Sequence, residues 1–166
     1  MKASELAKYV VTFFDDKGDP ITNKKLQKLL YYIEAWNLVY LKSIFNEDIE
    51  AWVYGPVVPE VYREYKKHGY SPITRKYPKN SSPSHELKLL EKKLNFSDAQ
   101  KELIEAVLEK YGAMSSFQLE RLTHSEKPWL EARGDCGPID RCFTAINRKT
   151  MKEYYSSLVN VEEEKK

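Results

Sequence analysis

The side chains with most capacity for chemistry in this sequence are three histidines, His68, His85 and His124, and two cysteines, Cys136 and Cys142. A structural zinc site takes about four nitrogen or sulfur ligands at short spacing. These five are scattered, with no CxxC and no HxxxH, so no metal site is predicted. A cysteine nucleophile would need His124 beside Cys136 or Cys142, and a general-base role for His124 would need a positioned acceptor. Nothing in the spacing supplies either. GxxxxGK[ST] and GxGxxG are both missing, so there is no glycine-rich phosphate cradle. Carboxylates are plentiful but sit at charged helical positions. No catalytic residue and no cofactor is assigned, and a small hydrolase using His124 and a cysteine is the weakest reading.

Two other clusters carry more. TNKKLQK at 22–28 sets Lys24, Lys25 and Lys28 within two turns of a predicted helix start. There the macrodipole disfavours exposed cations by about 0.3–1 kcal/mol each. The plain reading is a solvated face, Lys28 included, paired with acids such as Asp19 or Glu47. The functional reading is a basic patch for an anionic partner. With Tyr31 and Tyr32 beside it, the patch has the make-up of a nucleic-acid surface, because cations neutralise phosphate and rings stack on bases. A nucleic-acid-binding regulator using Lys24, Lys25 and Lys28 is therefore the alternative function, not the favoured one. The second cluster is EAWVYGPVVPEVY at 50–62. Gly55 permits positive φ, while Pro56 and Pro59 stiffen the path beyond it. A preformed corner loses little entropy on binding, and aromatic side chains dominate interface energetics.

The elements that must position these residues are mostly helices. Ser4 is predicted to cap a first helix with Leu6, Val10, Phe13 and Phe14 on one face, ending near Gly18. Thr22 opens a second, striped by Leu26, Leu30, Ile33, Asn37 and Leu41. Residues 43–54 predict a small β-hairpin, with Ile49, Ala51 and Val53 inward and Glu50, Trp52 and Tyr54 outward. Pro59 starts a third helix that stops at Gly69. Residues 70–84 form a proline- and serine-rich surface loop. Further helices begin near Pro83, at the Ser97–Gln100 and Ser115–Gln118 capping boxes, at Pro128 and at Asn147. The predicted fold is mainly α, a compact bundle of about seven or eight helices with the hairpin. Residues 1–160 read as a single domain, and 161–166 as a charged flexible tail.

Composition excludes several classes. Lys+Arg 27 against Asp+Glu 25 leaves a net charge of only +2, with neither half strongly basic. No window approaches the roughly 18 apolar residues of a membrane span. Two cysteines are too few for a disulfide scaffold. The expectation is a cytoplasmic protein with no membrane partner.

KLQKLLYYIEAW at 25–36, EAWVYGPVVPEVYREYKKHG at 50–69 and LTHSEKPWLEAR at 122–133 stand in the same order and at similar separations as in the SocA-like, or Panacea, antitoxin domain. INRKTMKEYY at 146–155 resembles that family's closing helix. Residues 134–144 match no pattern. Such domains occur in bacteria and phages beside small toxins of unrelated kinds. The resemblance implies a mainly helical, non-enzymatic antitoxin that binds a cognate protein toxin in stoichiometric amounts, either blocking it or delivering it to a protease. The residues assigned to partner binding are Lys25, Gln27, Lys28, Tyr31, Trp52, Tyr54, Gly55 and Pro56. Thr123, His124, Pro128 and Trp129 are assigned a structural or partner-binding role: a Thr or Ser hydroxyl capping the short helix at Pro128, His124 bonding backbone, and Trp129 plugging a gap.

Overall fold

Capping side chains set most helix boundaries, and the apolar stripes between them form the core. A computed structural model describes residues 1–163. Helix α1 spans Ala3–Asp16 and α2 spans Asn23–Tyr40. A hairpin follows, with β1 at Glu50–Trp52 and β2 at Gly55–Val57. Then come α3 (Pro59–Tyr65) with a 3₁₀ turn over Lys66–His68, α4 (Pro83–Leu94), α5 (Asp98–Gly112), α6 (Ser116–His124), α7 (Lys127–Arg133) and α8 (Arg148–Glu163). The mainly α expectation holds. Thr22, Ser82, Ser97 and Ser115 each accept from the amide three residues on, and Asn147 accepts from the amides of Lys149 and Thr150. These bonds satisfy donors that a helix start leaves open. Ser4 is not used this way; α1 begins at Ala3, so Ser4 lies inside its first turn. Of the charged end at 161–166, α8 includes residues through Glu163, and 164–166 lie outside the described residues.

Helix α2 is the centre, packing against α1, α3, α5, α6, α8 and β2. Leu26, Leu30, Ile33 and Asn37 are fully buried, as the stripe predicts, and so is Leu29 outside it, while Leu41 lies past the helix end and is exposed. Because neighbours surround α2, polar residues on it are buried too, and each needs a partner. Gln27 donates to Asn23 Oδ1 (2.9 Å) and accepts from the Val58 amide (2.9 Å). Glu34 accepts from Ser43 Oγ (2.7 Å), the Ile44 amide (2.9 Å) and Arg148 Nε (2.8 Å). Arg148 also donates to the carbonyls of Phe45 (3.1 Å) and Glu47 (2.7 Å). One carboxylate thus ties the chain after α2 to the start of α8.

Tyr31 and Tyr32 face inward, not outward. Tyr32 stacks on Tyr111 of α5 with centroids 3.9 Å apart, and both α2 tyrosines meet the Tyr155 ring of α8. The hydroxyls of Tyr32 and Tyr155 converge on Glu126, the latter at 2.6 Å. Burial pushes the Glu126 carboxyl up to about 7, against the lowering effect of those two hydroxyls.

The hairpin differs from the predicted one. Its strands are 50–52 and 55–57, with Trp52 opposite Gly55, and it does not lie within 43–54. Ile44 and Phe45 are buried without strand pairing. Ile49 and Ala51 do face the core, but Val53 falls in the turn and is half-buried. Residues 144–146 line the other side of β1, through Ala51 N to Thr144 O (2.9 Å) and Ile146 N to Ile49 O (2.7 Å). The crossing at 70–82 is pinned at Ile73, which is buried and donates its amide to Ile21 O (2.8 Å). No helix of the described residues is long and apolar enough to cross a membrane.

Candidate functional site

Gly55 is where the separated sequence blocks meet. Its φ is +102°, and a Cβ there would stand 2.6 Å from Lys28 Cε and 2.9 Å from Thr123 Oγ1. Only glycine fits both the backbone and the space. Lys28 Nζ donates to the Pro56 carbonyl (3.1 Å), and Trp129 Nε1 donates to the Trp52 carbonyl (3.1 Å). The turn between the strands is therefore clamped by α2, α6 and α7. At its tip Tyr54 is 65% exposed, with the Lys24 ammonium 5.3 Å from its ring centroid. Trp52 is half-buried, edge-on to Tyr62 (5.0 Å) and Phe143 (6.0 Å).

The three lysines do not form one exposed basic face. Lys24 pairs with Glu120, and Lys25 donates to the Gly112 carbonyl (2.6 Å). Lys28, expected in solvent, is 1% exposed, because β2 and α6 close over that side of α2. Burial pushes its ammonium down to about 7, helped by Lys24 and opposed by Glu120. The sign of the consequence is definite. The unfolded chain holds this proton up to about 10.5 but the folded chain only to about 7, so this group adds stability as pH rises between them. Lys28→Met is expected to raise the melting temperature at pH 7, with the gain shrinking towards pH 10.5. Thermal unfolding at both pH values checks it; a loss of stability at pH 7 would mean the ammonium is better solvated than its burial indicates.

The Thr-His block is a brace. Thr123 and Ser125 donate back to the carbonyls of Glu120 (2.9 Å) and Leu122 (2.7 Å), so neither hydroxyl caps α7, whose N-cap is Glu126. His124 stacks nearly parallel on the buried Trp129 ring at 4.0 Å in place of the expected backbone bond. Desolvation lowers its pKa, favouring neutral imidazole. Pro128 lies in the first turn of α7 and is buried. Arg133, which no sequence signal singled out, is buried and donates to the carbonyls of Asp140 (2.8 Å) and Gly137. Cys136 and Cys142 form a disulfide across this same loop. No group of three or more His, Cys, Asp or Glu suited to a metal ion exists among the described residues.

Beside the turn lies a cleft of about 710 Å³. Of the residues assigned from sequence, Gln27, Lys28, Trp52 and Tyr54 line it. Gly55 and Pro56 are buried and, like Lys25 and Tyr31, are not part of its lining. Tyr62, Lys66, Tyr70, Arg141 and Phe143 are also among the lining residues, and sequence reasoning missed all five. Tyr62 and Lys66 stand inside the quoted 50–69 block, but nothing local marks which way they face.

A family model described as antitoxin SocA-like, Panacea domain, matches residues 26–130, from α2 into α7. Antitoxin SocA of Caulobacter vibrioides is 38% identical over 112 residues, covering 66% of this chain and 58% of that protein. No solved structure matches the chain. The matched span contains the α2, turn and Thr-His blocks that converge on Gly55, and the chain belongs to the SocA-like, Panacea-domain antitoxin family.

Proposed function

We propose that this protein neutralises a cognate protein toxin by binding it directly in a fixed ratio, through the turn that carries Trp52 and Tyr54. The observation that carries this reading is an exposed tyrosine on a turn clamped from three helices. Ordering such a contact on binding costs little, because the backbone beneath it is already held. Trp52 and Tyr54 touch the toxin. Gln27, Lys28, Gly55 and Pro56 hold the turn in shape, Lys25 and Tyr31 fix α2, and Thr123, His124, Pro128 and Trp129 brace the turn from behind. Neutralisation takes place in the cytoplasm and involves no chemical step.

Titration against the purified toxin, taken as the small protein encoded beside this one, should show a break at a fixed molar ratio. Neutralisation by catalytic amounts would replace binding with an enzymatic activity. Tyr54→Ala should weaken toxin binding by about 2 kcal/mol or more with little change in melting temperature. A variant that melts early yet binds as tightly as the parent would put the contact elsewhere.

A further inference from the structure

We propose that the cleft beside the turn is a binding site for a small anionic ligand carrying a planar ring, of the nucleoside-phosphate class. This goes beyond the antitoxin reading and does not depend on it. The cleft's volume of about 710 Å³ lies within the range of small-molecule sites. Lys24, Lys28, Lys66 and Arg141 line it, Lys24 being paired with Glu120, and among the described residues no Asp or Glu lines it. The starts of α2 and α6 also adjoin at its edge, with the lining hydroxyls Thr22 Oγ1 and Ser116 Oγ 3.2 Å apart, which places two positive helix ends near the cleft.

The decisive group is Lys28. Its ammonium has three donors, is 1% exposed, and among the described residues has one acceptor, the Pro56 carbonyl. Glu120 acts on it only through space and is itself paired with Lys24, so two of the ammonium's donors have no acceptor, which is costly in a buried site unless something else completes it. A phosphate oxygen entering the cleft would supply the missing acceptors. The ring specificity comes from the walls: Tyr54, Tyr70 and Phe143 are 65%, 99% and 61% exposed, and Trp52 and Tyr62 stand behind them. Aromatic faces beside a basic floor stack a base while cations hold its phosphate. A single nucleotide fits better than a strand, because Lys25 is held away on Gly112 and no exposed basic face continues along α2.

The test is calorimetric titration of the full chain at low salt with AMP, GMP and UMP, and with adenosine and inorganic phosphate as separate arms. At least one nucleotide should saturate a single site, about tenfold or more tighter than adenosine or phosphate alone. Lys28→Met and the exposed-rim variant Arg141→Glu should each weaken it about tenfold or more, and Lys152→Glu, exposed on α8 and outside the lining, should leave it unchanged. No saturable binding of any nucleotide up to about 5 mM overturns the proposal. So does binding no tighter than phosphate alone, or binding unaffected by both Lys28→Met and Arg141→Glu. If nucleotides fail but Arg141→Glu loosens the toxin, the cleft belongs to the protein partner and the small-ligand site is wrong while the antitoxin reading stands.

Discussion

Arg148→Ala is expected to lower the unfolding free energy by about 3 kcal/mol, the low end of the range for breaking a buried ion pair by removing one partner, because the Arg148 side chain is 27% exposed. Glu34 has no exposed side-chain surface, and the guanidinium is its only positively charged partner among the described residues. Without Arg148 the carboxylate keeps two neutral donors, from Ser43 and Ile44, in a site where its charge is poorly solvated. The carbonyls of Phe45 and Glu47 also lose their donor. Urea denaturation of the parent, Arg148→Ala and the double variant Glu34→Gln/Arg148→Met separates charge from packing. The double variant should recover much of the loss, because it no longer buries an unpaired charge. A single-variant loss below about 1 kcal/mol would mean the pair behaves like a surface salt bridge.

Gly55→Val should be the most damaging single change at the turn. At φ of +102° a β-branched residue is strained by about 1–3 kcal/mol before any contact is counted. Its Cβ would then force Lys28 and Thr123 aside, and with Lys28 goes the bond to Pro56. Both the melting temperature and toxin binding are expected to fall, in contrast to Tyr54→Ala, which should affect binding alone. Gly55→Ala should lie between the parent and Gly55→Val, since its methyl meets the same atoms with less bulk. A Gly55→Val protein that melts like the parent would show that the turn relaxes freely, and the preorganised contact would lose its physical basis.

The parts of the fold that were legible in the sequence are those whose causes are local. Ser97–Gln100 and Ser115–Gln118 announce helix starts because the bonds they make lie within one turn of the helix. The stripe of α2 was legible for the same reason. The hairpin was placed too early because alternation through 49–54 reads as strand, whereas the chain turns at 53–54 between Trp52, held by Trp129, and Pro56, held by Lys28. Those contacts join residues far apart in sequence. Lys28 looked solvated because its neighbours in sequence are cations; what buries it is β2 and α6. Arg133 and the Cys136–Cys142 bond had no local signal at all, and they organise the segment that matched no pattern. The site was half legible: the aromatic turn stood out by composition, but the opposite wall of the cleft did not.

The bond between Glu34 and Arg148 joins residues 114 positions apart. A ribosome adding about 5–20 residues per second makes α2 on the order of ten seconds before α8. Throughout that interval Glu34 lacks its cation, and Tyr31 and Tyr32 lack the Tyr155 ring that meets them. The nascent chain therefore cannot close its core in step with its synthesis; the closing contacts arrive with the last of the described helices. A ribosome that stalls before α8 leaves the centre of the molecule uncovered and accessible to proteases.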